Sequence, residues 1–565
     1  MNYKKSIILS AITLGLGFGA TAQAPKFSLN GLGRSIINHD QLSGNLVDGN
    51  TDTQKSSISG YNLFDLQTNL GIDSTFKATA ILRTRSPFGS SFGAITNFEF
   101  RQFTMSGKLK NLKYELGDIR VEMTPYTVFN NEVGGTGFES DLFAARKDIL
   151  DYENFNFGNT WLLQGTSGQY AWDLGNNKGI GLYAFTTRTG STNELTTPDR
   201  LLSGGRLEFA FDKHFKIGVN EVSMYDLAIA TAEYDYTNHV LTGDITYTRK
   251  LGNNLLNLKL ESGMSSYSYT DNVNDSTTSY EDGFFDLGID YVLNNPGLVI
   301  GLDVRQVGAV FASPTAQTRR INVTANPGLF SAVKGLDRGQ ILYDRFTSED
   351  IYNSGVTPNL MAFIPYYNNI NPYGNATPNR FVVGVNLVTD TSKHDYSAKL
   401  AIDYGTEVIG EGSANKRGFM VISAGGVAHI GNLIDSKRLF DVNIGFRMEN
   451  TSRSGNAAVD LSSMLIDFGF AAEVLKKFDL LVGAKYFAAS GNDFVGVRDG
   501  FNLVTGFNEL NVDINELIAS GGLRIRFSKQ QSFSLNYNFV DFRNVADKSN
   551  NYNVGQLFFN YTGKF

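Results

Sequence analysis

Cysteine is absent from all 565 residues. Disulfides, thiolate nucleophiles, cysteine-ligated zinc and iron–sulfur clusters are therefore excluded, and no lipobox exists for a lipoprotein anchor. Proline is scarce, at 11, and tryptophan scarcer, at 2. There is no basic excess. The formal net charge is −7, which argues against a general nucleic-acid binder. Five histidines (His39, His214, His239, His394, His429) are scattered, with no H-E-x-x-H spacing. Beyond the amino terminus no apolar run reaches the ~18 residues a spanning helix needs. Long helical heptads are equally hard to find.

What is plentiful points to strands. Phenylalanine (42), tyrosine (26) and glycine (59) suit many strands joined by glycine-bearing turns. The chain opens MNYKKSIILSAITLGLGFGATAQA: two lysines, an apolar run, then small residues. This is the plan of a secretory signal peptide, with Ala20-Thr21-Ala22 as a cleavage site that leaves Gln23 first. Residues 1–22 are read as the signal peptide and 23–565 as one domain. An uncleaved anchor helix is the alternative, but the apolar run is short for a span.

The remainder repeats one theme of alternating segments. In FDLQTNLGID (64–73), Phe64, Leu66, Leu70 and Ile72 oppose Asp65, Gln67, Asn69 and Asp73. After the turn Ser74-Thr75, FKATAILRTR (76–85) sets Phe76, Ala78, Ala80 and Leu82 against Lys77, Arg83 and Arg85. FDVNIGFRME (440–449), MLIDFGFAAEV (464–474), FDLLVGAKYF (478–487), LRIRF (523–527) and FSLNYNF (533–539) continue it. The final segment, NVGQLFFNYTGKF, alternates to the last residue, with Leu557, Phe559, Tyr561 and Phe565 on one face.

A soluble sandwich would bury the apolar faces against each other. A membrane barrel turns them outward to lipid and the polar ones inward. Lipid cannot satisfy backbone groups, so a barrel sheet must close on itself, and an edge strand can then run to the terminus. Connection lengths alternate as well. Short ones are read at 74–75, 108–111, 175–178, 212–214, 251–254, 294–297, 390–394, 475–477 and 528–531. Long ones are read at 38–58, 123–158, 190–200, 269–281, 308–377, 406–416, 450–461 and 490–511. The two sets alternate if 215–236 is one long strand and 27–37 is the first. The predicted fold is all-β: a transmembrane antiparallel barrel of about 22 strands, within an even range of 16–24, with short periplasmic turns and long extracellular loops.

On these features the chain resembles the outer-membrane β-barrel superfamily of Gram-negative bacteria. Its A-T-A|Q junction and Tyr/Asn-rich strands are similar to barrels of the Bacteroidota, with no subfamily indicated. The resemblance implies export to the outer membrane, contact with its lipid, and recognition of the Phe565 strand by the barrel-assembly machinery. It supplies no functional residues. The stretch from Gln23 to the alternation at Tyr61 is too short for the plug of a TonB-dependent receptor, and no peptidoglycan-binding domain trails the barrel.

The inward face carries both signs of charge. Candidates lining the lumen are Lys77, Arg83, Arg85, Glu99, Arg101, Lys113 and Glu115 early in the chain, then Arg206, Glu208, Lys259, Glu261, Asp303 and Arg305. Later strands add Lys399, Asp403, Asp441, Arg447, Glu449, Asp467, Glu473, Lys485, Arg524 and Arg526. Facing lipid, each Arg or Lys at mid-depth would cost roughly 2–4 kcal/mol, so the alternation has only one workable sense. Arg83, Arg85, Arg101 and Arg206 suggest a basic ladder, but Glu99, Glu115 and Glu208 sit beside them. Strong ion selectivity is not expected.

The loop at 308–377 is the distinctive insertion, since a structureless stretch of that length tends to be functional. Phe330, Tyr343, Phe346, Tyr352, Phe363, Tyr366, Tyr367 and Tyr373 alternate there with amide and acidic groups. Three roles stand open: a lid over the bore, a surface stacking on sugars or other small polar solutes, and a partner-docking surface. Within 123–158, ESDLFAARKDIL suggests a short helix. Enzyme signals are weak. GSSFG (89–93) matches G-x-S-x-G but sits in a turn, without the strand–turn–helix setting of a nucleophile elbow. Asp48, Asn50 and Asp52 have calcium-loop spacing, yet Ser59 stands where a glutamate is needed. The acidic group Asp271, Asp275, Glu281 and Asp282 reads as an ordinary polar loop. No cofactor, metal or catalytic residue is assigned. The sequence favours a weakly selective porin-like channel for small polar solutes. The alternatives are a non-conducting barrel acting as accessory or scaffold in an outer-membrane secretion, assembly or surface complex, and, more remotely, a barrel hydrolase.

Overall fold

The computed structural model describes residues 26–49, 54–73, 75–88, 96–131, 134–229, 231–318, 320–325, 338–353, 355–389, 394–436, 438–499 and 503–565. The signal-peptide region, GSSFG, Asn50, Asp52 and Phe330 lie outside them. Twenty-two antiparallel strands form one sheet. They run from β1 (Lys26–Ser43) and β2 (Ser56–Gly71) to β22 (Tyr552–Lys564). Each pairs with its neighbours in the chain, and β1 pairs with β22 from Leu32↔Lys564 to Ser43↔Asn553. The sheet is therefore closed. Phe565 completes the seam: its N–H donates to the Gly31 carbonyl at 3.1 Å and its carbonyl accepts from Gly31 N–H at 2.9 Å. Its ring stacks on Phe64 at 5.6 Å.

Alternation sets the two surfaces. On β2, Phe64 and Leu70 are 44% and 42% exposed on the outer wall, whereas inward Asp65 and Asn69 are 2% and 9% exposed. The same sense holds along β17 (Phe440–Arg453), where Ile444 faces out and Glu449 is buried inside. An apolar outer belt of this extent is covered by hydrocarbon, and closure satisfies the backbone there.

Several boundaries differ from the sequence reading. The segment 215–236 is not one strand. β9 (Phe215–Leu227) ends early, Ala232 N–H donates to the Ile229 carbonyl in a turn, and β10 (Tyr234–Leu251) descends. Nothing in LAIATAE marks that turn, because it contains no glycine, proline or asparagine. β1 continues past residue 37, so its loop shrinks to 44–55. The stretches 269–281, 450–461 and 490–511 are mostly strand rather than loop. The structure has β11 (Asn254–Asp271) meeting β12 (Ser276–Leu293), β17 meeting β18 (Val459–Leu475), and β19 (Phe478–Arg498) meeting β20 (Val504–Arg526). Above the bilayer both faces of a strand meet water, so Ser, Thr, Asn and Asp on both faces imitate a loop. Connections at 228–233, 430–439 and 545–551 are absent from that reading, and the turn read at 89–93 falls within the connection 88–96; together they complete the 22 strands.

Two long connections turn inward. The one at 122–160 carries a helix, α1 (Asp141–Glu153), over the segment read as helical. The helix lies across the inside of the β22–β1 seam: Ile149 packs on Ile36 and Phe558, and Leu142 on Ala471 and Leu481. The connection at 308–379 buries Ile341, Tyr343 and Phe346 against Val540, Ile518, Tyr552 and Val554. Near this end of the barrel the inner wall is thus apolar, and the loops supply the core it packs against.

Reversing the outer belt at one point tests this arrangement. Ile444→Arg should destabilise the barrel in vesicles by about 2–4 kcal/mol, read as a lower urea midpoint in equilibrium unfolding from lipid.

Candidate functional site

The bore is narrowed where these two connections enter, and the charges of the inner wall hold them there. Asp65 is the centre of one group. Its two oxygens accept from Arg83 Nε and Nη2, each at 2.7 Å, while Arg101 Nη1 lies 3.1 Å from Oδ2. The Tyr152 hydroxyl of α1 donates to the same Oδ2 at 2.6 Å, and the Arg101 guanidinium sits 3.6 Å over the Phe155 ring. Alongside, Glu153 accepts from Arg34 Nη1 at 2.7 Å and from the Tyr61 hydroxyl. Arg85 reaches Glu349 of the longer loop at 2.5 Å. The start of the suggested basic ladder is therefore neutralised, and its charges fasten loops.

The rest of the ladder is similarly occupied. Arg206 contacts Asp244 at 2.5 and 2.9 Å and Glu208 at 3.1 Å. Arg305 pairs with Asp303 at 2.5 Å, Arg447 with Glu449 at 2.6 Å, and Lys485 with Asp467 at 2.6 Å. Arg524 and Arg526 share Asp479 at 2.8 and 2.7 Å, with Glu473 3.2 Å from Arg526. Glu261 accepts from Thr124 of the first connection at 2.6 Å. Asp441 lies 3.0 Å from His429. Glu99 is 3.9 Å from Arg83 and largely exposed. Lys77, Lys113, Lys259 and Lys399 are exposed, and Glu115 is half-buried.

The loop aromatics read as ligand contacts are placed differently. Tyr343, Phe346, Tyr367 and Tyr373 are buried and spent on packing. The Tyr343 hydroxyl donates to Gln556 at 2.6 Å, and Tyr367 lies 4.8 Å from Phe487. Of the six, only Tyr352 and Tyr366 are half-buried rather than buried. These side chains fold the loop, and none of the six is an exposed ring.

The anchors that sequence reasoning missed are mostly carboxylates and amides. Glu516 receives the backbone N–H groups of Leu342 and Tyr343 at 2.8 and 2.9 Å. Asn369 donates to Thr451 at 3.0 Å and Asp493 at 3.1 Å. Arg417 joins Glu407 at 2.7 Å and Asp493 at 3.0 Å. Strand alternation places Glu516 inward and would have found it, but no local signal names its partners in the loop.

Between the two connections and the wall lies a cavity of about 690 Å³. Gly134, Gly135, Thr136, Gly137, Glu139, Lys147, Asp148 and Asp151 line it from one connection, and Arg320, Arg345, Phe346 and Tyr352 from the other. Lys399, Arg447 and Lys485 line it from the barrel. Among the described residues no group of three or more His, Asp or Glu is placed to hold a metal ion.

No protein-family model and no curated protein matches the chain. Solved structures similar to it include Pseudomonas aeruginosa OccK8 (OprE), at 10% identity and a TM-score of 0.36, covering 96% of this chain and 98% of that one. A BenF-like porin from Pseudomonas fluorescens Pf-5 is similar at 9% identity and a TM-score of 0.36, covering 96% and 99%. Acinetobacter baumannii OccAB4 matches at 10% and 0.33, covering 96% and 98%.

Removing a shared carboxylate should expose the cost of these buried charges. Asp65→Ala leaves Arg101 without its carboxylate and Arg83 with only the distant Glu99, and should cost about 3–5 kcal/mol. The check is a lower midpoint for loss of the heat-modifiable folded band on electrophoresis.

Proposed function

We propose that the protein is a porin-like channel of a Gram-negative outer membrane, of the Bacteroidota type, which passes small polar solutes with weak selectivity. One observation carries this reading. The barrel interior at the level of the inserted loops is not a sealed apolar core but holds an ion-lined cavity of about 690 Å³. The loop at 308–379 narrows the bore, and its aromatics hold it in that position. Export would use residues 1–22, and insertion would present the Phe565 strand to the barrel-assembly machinery. The short turns then face the periplasm and the loops face outward.

A second reading has its own support. The wall charges are largely consumed in ion pairs with one another and with the loops, as they would be in a non-conducting scaffold. Planar-bilayer recordings separate the two. A channel should show steady openings that enlarge when 309–377 is replaced by a short Gly-Ser linker. Silence both with and without the loop would favour the scaffold.

A further inference from the structure

We infer that the cavity between the two inserted loops binds the oxyanion group of a small solute, a carboxylate or a phosphate, with Arg345 as its principal contact and Arg320 beside it. This deepens the channel reading by naming the chemistry of the solute, although binding itself does not require conduction.

The cavity is lined by six cationic side chains (Lys147, Arg320, Arg345, Lys399, Arg447 and Lys485) against three carboxylates, Glu139, Asp148 and Asp151. Most of the cations are engaged. Lys485 holds Glu139 at 2.8 Å and Asp467 at 2.6 Å, and Arg447 holds Glu449 at 2.6 Å. Asp151 lies within electrostatic reach of Lys147 and Arg320. Among the described residues the Arg320 side chain otherwise donates to Asn130, to its side-chain oxygen at 3.2 Å and its carbonyl at 3.3 Å.

Arg345 is left over. It is 7% exposed, and its guanidinium makes no hydrogen bond to any described residue. Its Nη2 is buried without an acceptor. The Tyr367 ring lies 4.5 Å from its Cζ. Burial pushes its pKa down, and this outweighs the opposing pull of the Tyr367, Tyr352 and Tyr366 hydroxyls and of Glu449, which makes no ion pair with it. A buried charge with its donors unmet is costly, and a ligand that meets them removes the cost. A planar guanidinium fork matches the paired oxygens of a carboxylate or phosphate. Gly134, Gly135 and Gly137 line the cavity without side chains.

Titration calorimetry on the purified mature barrel in detergent, with sodium phosphate and with disodium succinate as separate probes, tests the assignment. Saturable binding of either is expected, and the better probe tells phosphate from carboxylate. Arg345→Gln should weaken it at least about tenfold, while Arg188→Gln, at the exposed pair with Asp199, should leave it unchanged. If Arg345→Gln does not give the heat-modifiable folded band, Arg345→Lys serves in its place and should bind several-fold less tightly, since the fork is lost. Absence of saturable binding by both probes, or unchanged binding in the folded Arg345 variant, overturns the site. Binding without conductance would sink the channel reading alone; conductance without binding would sink this site alone.

Discussion

The structure depends on one constraint: a backbone amide in hydrocarbon has no water to bond to. A β-sheet meets that demand only by leaving no edge, which requires the first and last strands to find each other. The pairing of β1 with β22, completed by Phe565 and Gly31, is the local expression of that demand. The other features follow from it. Closure makes an inside and an outside, the pleat assigns alternate residues to each, and the sign of the transfer free energy decides which side takes the Phe and Leu.

A closed sheet of 22 strands is too wide for its own side chains to fill. The chain addresses this with its connections. At the loop end, apolar residues such as Val540, Ile518 and Val554 turn inward, against the general rule, because the inserted loops bring Tyr343 and Phe346 to meet them. Below that level, charged residues pair across the wall or reach into the loops. Wall and loops are therefore one network, and the ion pairs that look like a lining are largely fastenings.

Much of the barrel was legible in the sequence, because period-two alternation is a local property. Residues 440–449 and 464–474 sit in strands with the expected facing. The boundaries were less legible. Where strands rise beyond the bilayer, at 450–461 and 490–511, polar residues appear on both faces and the pattern fades while the ladder continues. The break after Leu227 had no turn chemistry to announce it. At the candidate site, alternation put Arg83, Arg101 and Arg206 on the polar face, but it could not show that Asp65 and Asp244 would pair with them or that Tyr152 would share Asp65. Pairing between a wall residue and a loop more than a hundred positions away is a fact of the fold. The same limit hid Arg345, which sits in a helical turn of an otherwise irregular segment.

Helix α1 has a consequence beyond narrowing the bore. It grips β18–β20 through Leu142 and Asp141 and β1–β2 through Glu153 and Tyr152, with Ile149 seated on the junction between them. It is a splint laid along the one joint that chain connectivity does not hold. Prising that joint apart would tear the splint from one flank, and displacing the splint would leave the joint to its ladder alone. Integrity of the wall and position of the inner loop are thus a single mechanical variable, and whatever shifts one is felt by the other.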